Sequence, residues 1–193
     1  AKLAVLTLLV FALTGDIKQG EKRILKSAKQ IEQMLKDKIV LNDLQQLAQI
    51  LAKQDFIYTI GRGISYATAL EAALKIKEVT YIHTQGLAGG ELKHGPIALI
   101  SKGTPVIVFA PKDETYDATL ANATEIKARG GVIIGVAQKP NAIFDYFIPV
   151  AEQGGVAAIN QIVPIQLLAY FIALSKGYDR DMPRNMAKCV TVK

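Results

Sequence analysis

Cysteine is nearly absent from this 193-residue chain, and Cys189 alone cannot form an internal disulfide, so no disulfide framework holds the fold. One thiol fits a reducing compartment, and a cytoplasmic protein is expected. Histidine is scarce too. His83 and His94 are the only two, and no Cys-x-x-Cys occurs, which argues against a structural zinc. No internal repeat or low-complexity linker interrupts the chain, so one domain with an appendage is expected. Residues 3–13, LAVLTLLVFAL, are too few to span a bilayer as a helix, and no membrane is expected as a partner. They have the outline of a signal-peptide core, with Lys2 before them. The preferred reading is a buried helix of a domain that begins further upstream. Aromatics are missing from the densest basic segment, where Lys18, Lys22, Arg23, Lys26, Lys29, Lys36 and Lys38 sit among Glu21, Glu32 and Asp37. Without a base-stacking platform this argues against nucleic acid as a partner. It reads as a solvated helix face, and the net charge of +6 adds some pull on anionic substrates.

What is present is a large apolar fraction, 50% of the residues, with Val, Ile, Leu and Ala dominant. A chain of this length buries roughly 70% of its unfolded surface, so a real core is expected. Apolar residues at helical spacing mark helices near Glu21–Leu35 and Asn42–Lys53. Phe56–Ile60, His83–Leu87, Pro105–Ala110, Val132–Ala137 and Tyr146–Val150 read as strands. Between them lie a helix capped by Ser65 and reaching about Tyr81, and another capped by Asp113 and reaching about Arg129. A last long helix ends before Gly177, with Pro164 in its first turn or kinking it. Strands alternating with helices imply a parallel sheet with right-handed crossovers, and continuously apolar strands imply helices on both faces. The expected fold class is therefore α/β, a three-layer αβα sandwich with a five-stranded parallel sheet. Residues 1–53 form a leading helical segment, 54–176 the sheet domain and 177–193 a tail.

The richest chemistry runs from Gly61 to Gly95, GRGISYATALEAALKIKEVTYIHTQGLAGGELKHG. Glu71, Lys75 and Glu78 share one helical stripe. They form either a surface ion pair or a site in which two carboxylates keep a lysine charged beside a substrate oxygen. In the second case one Glu can carry a proton between adjacent sugar carbons. Gly61-Arg62-Gly63 is either a tight turn or an anion cradle of backbone N–H groups, but it lacks the dinucleotide fingerprint and any Walker-type lysine. His94, near Glu91, carries an imidazole, a group suited to proton transfer near neutral pH, and can open a sugar ring, or is structural. In the tail, Lys188 has no acid within six positions, while Arg184 and Lys193 are near. Cationic neighbours and burial lower a lysine pKa, and bringing it from ~10.4 to about 7–8 costs roughly 4 kcal/mol. The result is an amine able to form a Schiff base. An ordinary exposed lysine is the alternative.

GRGISYATALEAALKIKEVTYIH, GELKHGPIAL and MPRNMAKCVTVK, in that order, resemble the glutamine–fructose-6-phosphate aminotransferases, or glucosamine-6-phosphate synthases. The resemblance runs the length of the chain. It implies tandem sugar-isomerase (SIS) domains of flavodoxin-like form, of which this chain carries the second, preceded by helices left from the first. It implies that Glu78 moves the proton between C1 and C2, that Lys188 forms the Schiff base with fructose 6-phosphate, and that His94 opens the ring from the neighbouring subunit of a homodimer. Lys75 and Glu71 then support the site, Ala187 contacts substrate, and the tail covers the sugar. The product is glucosamine 6-phosphate, made from fructose 6-phosphate and glutamine without pyridoxal phosphate or metal.

The departures carry weight. Nothing matches the family's glutaminase domain, whose nucleophile is an N-terminal cysteine, and Cys189 is no substitute. Nor is there a match to the Ser/Thr-rich loops of the first sugar domain, which hold the phosphate. A stand-alone sugar-phosphate deaminase or isomerase of the same superfamily and a non-catalytic sugar-phosphate sensor remain alternatives. The purified chain is expected to use no glutamine and to show little or no conversion of fructose 6-phosphate to glucose 6-phosphate. A coupled assay against the full-length enzyme checks this, and comparable rates would refute it.

Overall fold

A computed structural model describes residues 2–151 and 156–184. The chain runs α1 (Lys2–Leu13), α2 (Ile17–Lys36), α3 (Lys38–Leu51), β1 (Phe56–Gly61), α4 (Ile64–Thr80) and β2 (His83–Ala88). A short 3₁₀ turn, Pro96–Leu99, follows, then β3 (Pro105–Phe109), α5 (Tyr116–Lys127), β4 (Val132–Ala137), β5 (Tyr146–Pro149) and α6 (Ala157–Ser175). The five strands are all parallel, in the order β2-β1-β3-β4-β5. This is the flavodoxin-like order, with its topological switch point between β1 and β3.

The central strands β1, β3 and β4 are largely apolar on both sides because both sides are covered, whereas the edge strand β2, HTQGLA, is more polar and partly exposed. On one face Ile57, Ile107, Phe109, Ile134 and Ile148 pack against Leu44, Leu47 and Leu51 of α3, Ala69, Ala72 and Ile76 of α4, and Ile165, Leu168 and Ile172 of α6. On the other, Tyr58, Ile60, Val106, Val108 and Ile133 pack against Ala123 and Ile126 of α5 and Leu92 and Ile100 of the β2–β3 connection. Each fully buried Leu or Ile contributes about 1.5–3 kcal/mol. By length and composition α6 is apolar enough to cross a membrane. Its apolar side is instead accounted for by burial in this core. Asn160 of α6 donates to Gln30 at 3.0 Å and so ties α2 to the same face.

Several local expectations are corrected. The helix at 2–13 forms, but none of its residues is buried, and Leu3, Val5, Leu6, Leu9, Val10 and Leu13 are exposed. Its apolar residues run all round the helix, whereas α2 covers one side, where Phe11 lies against Gly20 and under Arg23. Ser65 does not cap α4. It lies inside the first turn, buried, and the cap position is Gly63 at φ 52° and ψ −130°. Asp113 accepts from the backbone and hydroxyl of Thr115, which itself stands at the start of α5. Pro164 is buried in the interior of α6, beyond its first turn, so of its two expected placements the first-turn one is corrected.

The β1–α4 junction is set by one missing atom. A Cβ at Gly61 would lie 2.2 Å from the carbonyl oxygen of Ser65, so the first turn of α4 sits directly on the end of β1. Gly61→Ala is therefore expected to cost about 2–3 kcal/mol by forcing backbone apart. Urea unfolding of the variant checks this, and a loss below ~0.5 kcal/mol would mean that the junction yields without strain.

Candidate functional site

The sheet and α6 bury the Ala69, Ala72, Ala73 and Ile76 side of α4 and leave the Glu71, Lys75, Glu78 stripe facing out. Lys75 Nζ lies 2.6 Å from Glu78 Oε2 and 3.8 Å from Glu71 Oε1. The stripe is half-buried around Lys75 and Glu78, more open at Glu71. The hydrogen bond that Lys75 donates to Glu78 raises the Lys75 pKa above the ordinary 10.5. Partial burial opposes the rise, and the charges of Glu78 and Glu71 add to it. Lys75 is therefore a fixed cation, suited to hold and polarise an oxygen and unsuited to nucleophilic attack.

The C-terminal segment returns to the same end of this helix. After α6, Gly177 at φ 70° and Tyr178 close the helix end through bonds to Leu174 and Ala173. Asp179 Oδ1 accepts the N–H groups of Asp181 and Met182. The Arg184 N–H then donates to Tyr81 Oη at 2.7 Å, its guanidinium lies 4.1 Å from the centre of the Tyr81 ring, and the Tyr178 ring is 4.9 Å from the same ring. Tyr81 is the C-cap of α4, one turn beyond Glu78, with φ 58° and ψ 14°. A left-handed tyrosine costs roughly 1–2 kcal/mol. Lys188, Ala187 and Cys189 lie outside the described residues. Lys188 is four positions beyond Arg184, a reach of at most ~14 Å.

His94 is not brought to this place. The helix α4 runs from the carboxyl edge of the sheet back to the amino edge, so Glu78 lies near the start of β2, whereas His94 follows its end. A six-residue strand puts them roughly 20 Å apart along the sheet. His94 is exposed, on a loop that Lys93 pins to α5 through Glu125 at 2.9 Å.

The close helix packing read for Gly61-Arg62-Gly63 is seen at Gly61. Arg62 is spent on structure, its Nε donating to Asn122 at 2.9 Å and a terminal nitrogen to the Gly89 carbonyl at 3.3 Å. A cleft does open at the switch point, lined by Ser65, Lys112, Asp113, Gln138 and Gln161 among others, but its floor carries acid as well as base. Among the described residues no group of His, Cys, Asp and Glu gathers to hold a metal.

Sequence reading overlooked Tyr81 and Arg184 as partners. The only available signal was a bulky aromatic where a helix must stop without Gly or Asn.

Fold and site together define an open, doubly wound α/β domain with an acid–lysine–acid helix face and a returning C-terminal strap. The SIS domain model matches residues 50–175, and the chain belongs to that family. It is 44% identical over 199 aligned positions to a glutamine–fructose-6-phosphate aminotransferase [isomerizing] of Pyrococcus horikoshii, covering 100% of this chain and 33% of that protein. It is 50% identical over 147 positions to the protein so named in Gloeobacter violaceus, covering 74% of this chain and 24% of that one. Among solved structures, the C-terminal domain of glucosamine-fructose-6-phosphate aminotransferase from Francisella tularensis superposes with a TM-score of 0.78 at 31% identity, over 93% of this chain and 52% of that chain. The chain thus spans about a third of the length of the Pyrococcus relative.

The Lys75 pairing has a pH signature. A lysine whose folded pKa is raised contributes stability in full below its unfolded value near 10.5, and loses it as pH rises through the folded value. The stability difference between wild type and Lys75→Met is expected to stay level from pH 7 to 10 and to shrink above that. Urea titrations across pH 7–11 check it, and a difference that already shrinks between pH 7 and 9 would contradict the assignment.

Proposed function

We propose that this chain is the isomerase portion of a glutamine–fructose-6-phosphate aminotransferase, with fructose 6-phosphate as its sugar substrate and glucosamine 6-phosphate as the enzyme's product. The observation that carries the reading is the α4 face: a carboxylate, Glu78, held by a lysine that stays charged, one helical turn from the anchor of the tail. Similarity to the named relatives along the whole chain supports it.

In this reading the Lys188 amine attacks the C2 carbonyl of the open-chain ketose and water leaves, giving an imine. Ammonia released from glutamine then takes the place of Lys188 at C2. Glu78 removes a proton from C1 and returns it to C2, while the O1 hydroxyl proton passes to the nitrogen, which converts the 2-imine to a 2-amino aldose without change in the carbon skeleton. Lys75 engages Oε2 of Glu78 and steadies the carboxylate while the other oxygen handles the proton. Glu71 adds negative charge behind Lys75 and keeps it cationic. Ala187 contacts the sugar from the tail. His94, placed at the far sheet edge of its own chain, acts from the partner of a homodimer and moves the ring-opening proton. The glutaminase and first sugar domains of the same enzyme supply ammonia and hold the phosphate. The setting is the cytoplasm.

Borohydride reduction with fructose 6-phosphate on the enzyme at its full encoded length tests the scheme. Mass spectrometry is expected to find the adduct at Lys188, and Lys188→Arg to abolish it. Glu78→Gln is expected to keep the adduct and lower turnover at least ~100-fold, the usual weight of a general base. An adduct elsewhere, or full turnover in Glu78→Gln, would sink the scheme.

A further inference from the structure

We infer that the cleft at the switch point binds a small α-amino acid, a ligand with a carboxylate and an ammonium group a few bonds apart. It is a second site, at the opposite sheet edge from Glu78, and stands independently of the chemistry assigned to α4. The cleft encloses about 250 Å³ beyond the carboxyl ends of β1, β3 and β4. That is below the roughly 300–1,000 Å³ of clefts that take drug-sized molecules, so its occupant is smaller. Gln161 of α6 lines it, is 2% exposed, and has no hydrogen-bond partner for Nε2. Ser65 of α4 lines it too and is likewise buried. Thr68, three positions further along α4, is buried with Oγ1 unpartnered. Buried polar groups are nearly always paired, and an orphaned donor on a cleft wall calls for an acceptor from outside the protein. Gln138 is oriented from the other side, its Oε1 accepting the Lys112 N–H at 2.9 Å.

The charges around the cleft select the class of ligand. Two long helices start beside it, α4 after Gly63 and α6 after Val156, and no side chain caps either start. Each start carries about half a positive charge, and Lys112 adds a whole one. Asp113 and Glu114 line the same cleft and carry two negative charges. Asp113 engages Thr115 through Oδ1. Among the described residues neither acid has a cationic partner within 4.0 Å. The opposed contributions roughly cancel, so a bare anion such as phosphate gains little here. A ligand bearing both signs sets each against its opposite. Its carboxylate meets Gln161 Nε2 and the helix starts, and its ammonium meets Asp113 and Glu114. The Gln138 amide stands ready for a side-chain oxygen, which makes L-glutamine the probe of choice.

Calorimetric titration of the 193-residue chain with L-glutamine tests this, with acetate, methylammonium and inorganic phosphate as comparisons. L-glutamine is expected to saturate with a Kd of about 1 mM or below, and each of the three single-charge probes to bind at least ~tenfold more weakly. Gln161→Met keeps the length of the side chain and removes the donor. It is expected to weaken L-glutamine about tenfold while the unfolding midpoint holds or rises, because an unpaired buried group is lost. Asp113→Asn keeps an acceptor for Thr115 and removes the charge. It is expected to weaken L-glutamine about tenfold and to leave acetate unchanged. If Gln161→Met lowers the midpoint, Asp113→Asn decides, since it lies at an exposed position. No saturation by L-glutamine at about 10 mM overturns the proposal. So does phosphate binding more tightly than L-glutamine, which would make the cleft a plain anion site. Wild-type L-glutamine affinity in Asp113→Asn overturns it as well. None of these outcomes touches the adduct at Lys188, which is read in a separate experiment.

Discussion

The alanine-lined contact of α4 with α6 and the sheet governs the rest of this molecule. Ala69, Ala72 and Ala73 are buried with no side chain beyond Cβ, so the helix sits close and its rotation about its own axis is set. Gly61 adds to this by letting the first turn rest on the end of β1. With rotation and height both determined, Glu71, Lys75 and Glu78 have one direction left to point. Larger residues at the alanines would lift the helix and turn the acids with it, since a packed interior has no slack to absorb them.

Lys75 and Lys188 stand in opposite charge surroundings along the chain. Lys75 has carboxylates on both sides along its stripe, and its proton is held more tightly than in water. Lys188 has none near it in sequence, and cations at Arg184 and Lys193. The carboxylates preserve the charge of Lys75. In the proposed scheme Lys188 has the opposite task, attack as a free amine.

Much of the architecture was legible in the chain. Five strands, the helix reaching Tyr81 and the shared stripe of Glu71, Lys75 and Glu78 all follow from pattern and spacing. Local caps were less legible. Ser65 looked like a cap because serine so often is one, yet Gly63 took the position, since the turn demands a backbone angle that serine resists. The helix at 2–13 was read as buried on composition alone, which says nothing about how many neighbours stand ready to cover it.

The sequence by itself determined which residues alternate, which share a helix face and which charges stand near one another along the chain, because those relations repeat every two or three to four residues. Only the tertiary structure decided that His94 and Glu78 lie at opposite edges of the sheet, because a right-handed crossover reverses the chain between them. It also decided that Arg62 is occupied by Asn122, and that Arg184 meets Tyr81 across 103 positions of sequence. Contacts at that separation come from how helices stack on a sheet, and no local periodicity encodes them.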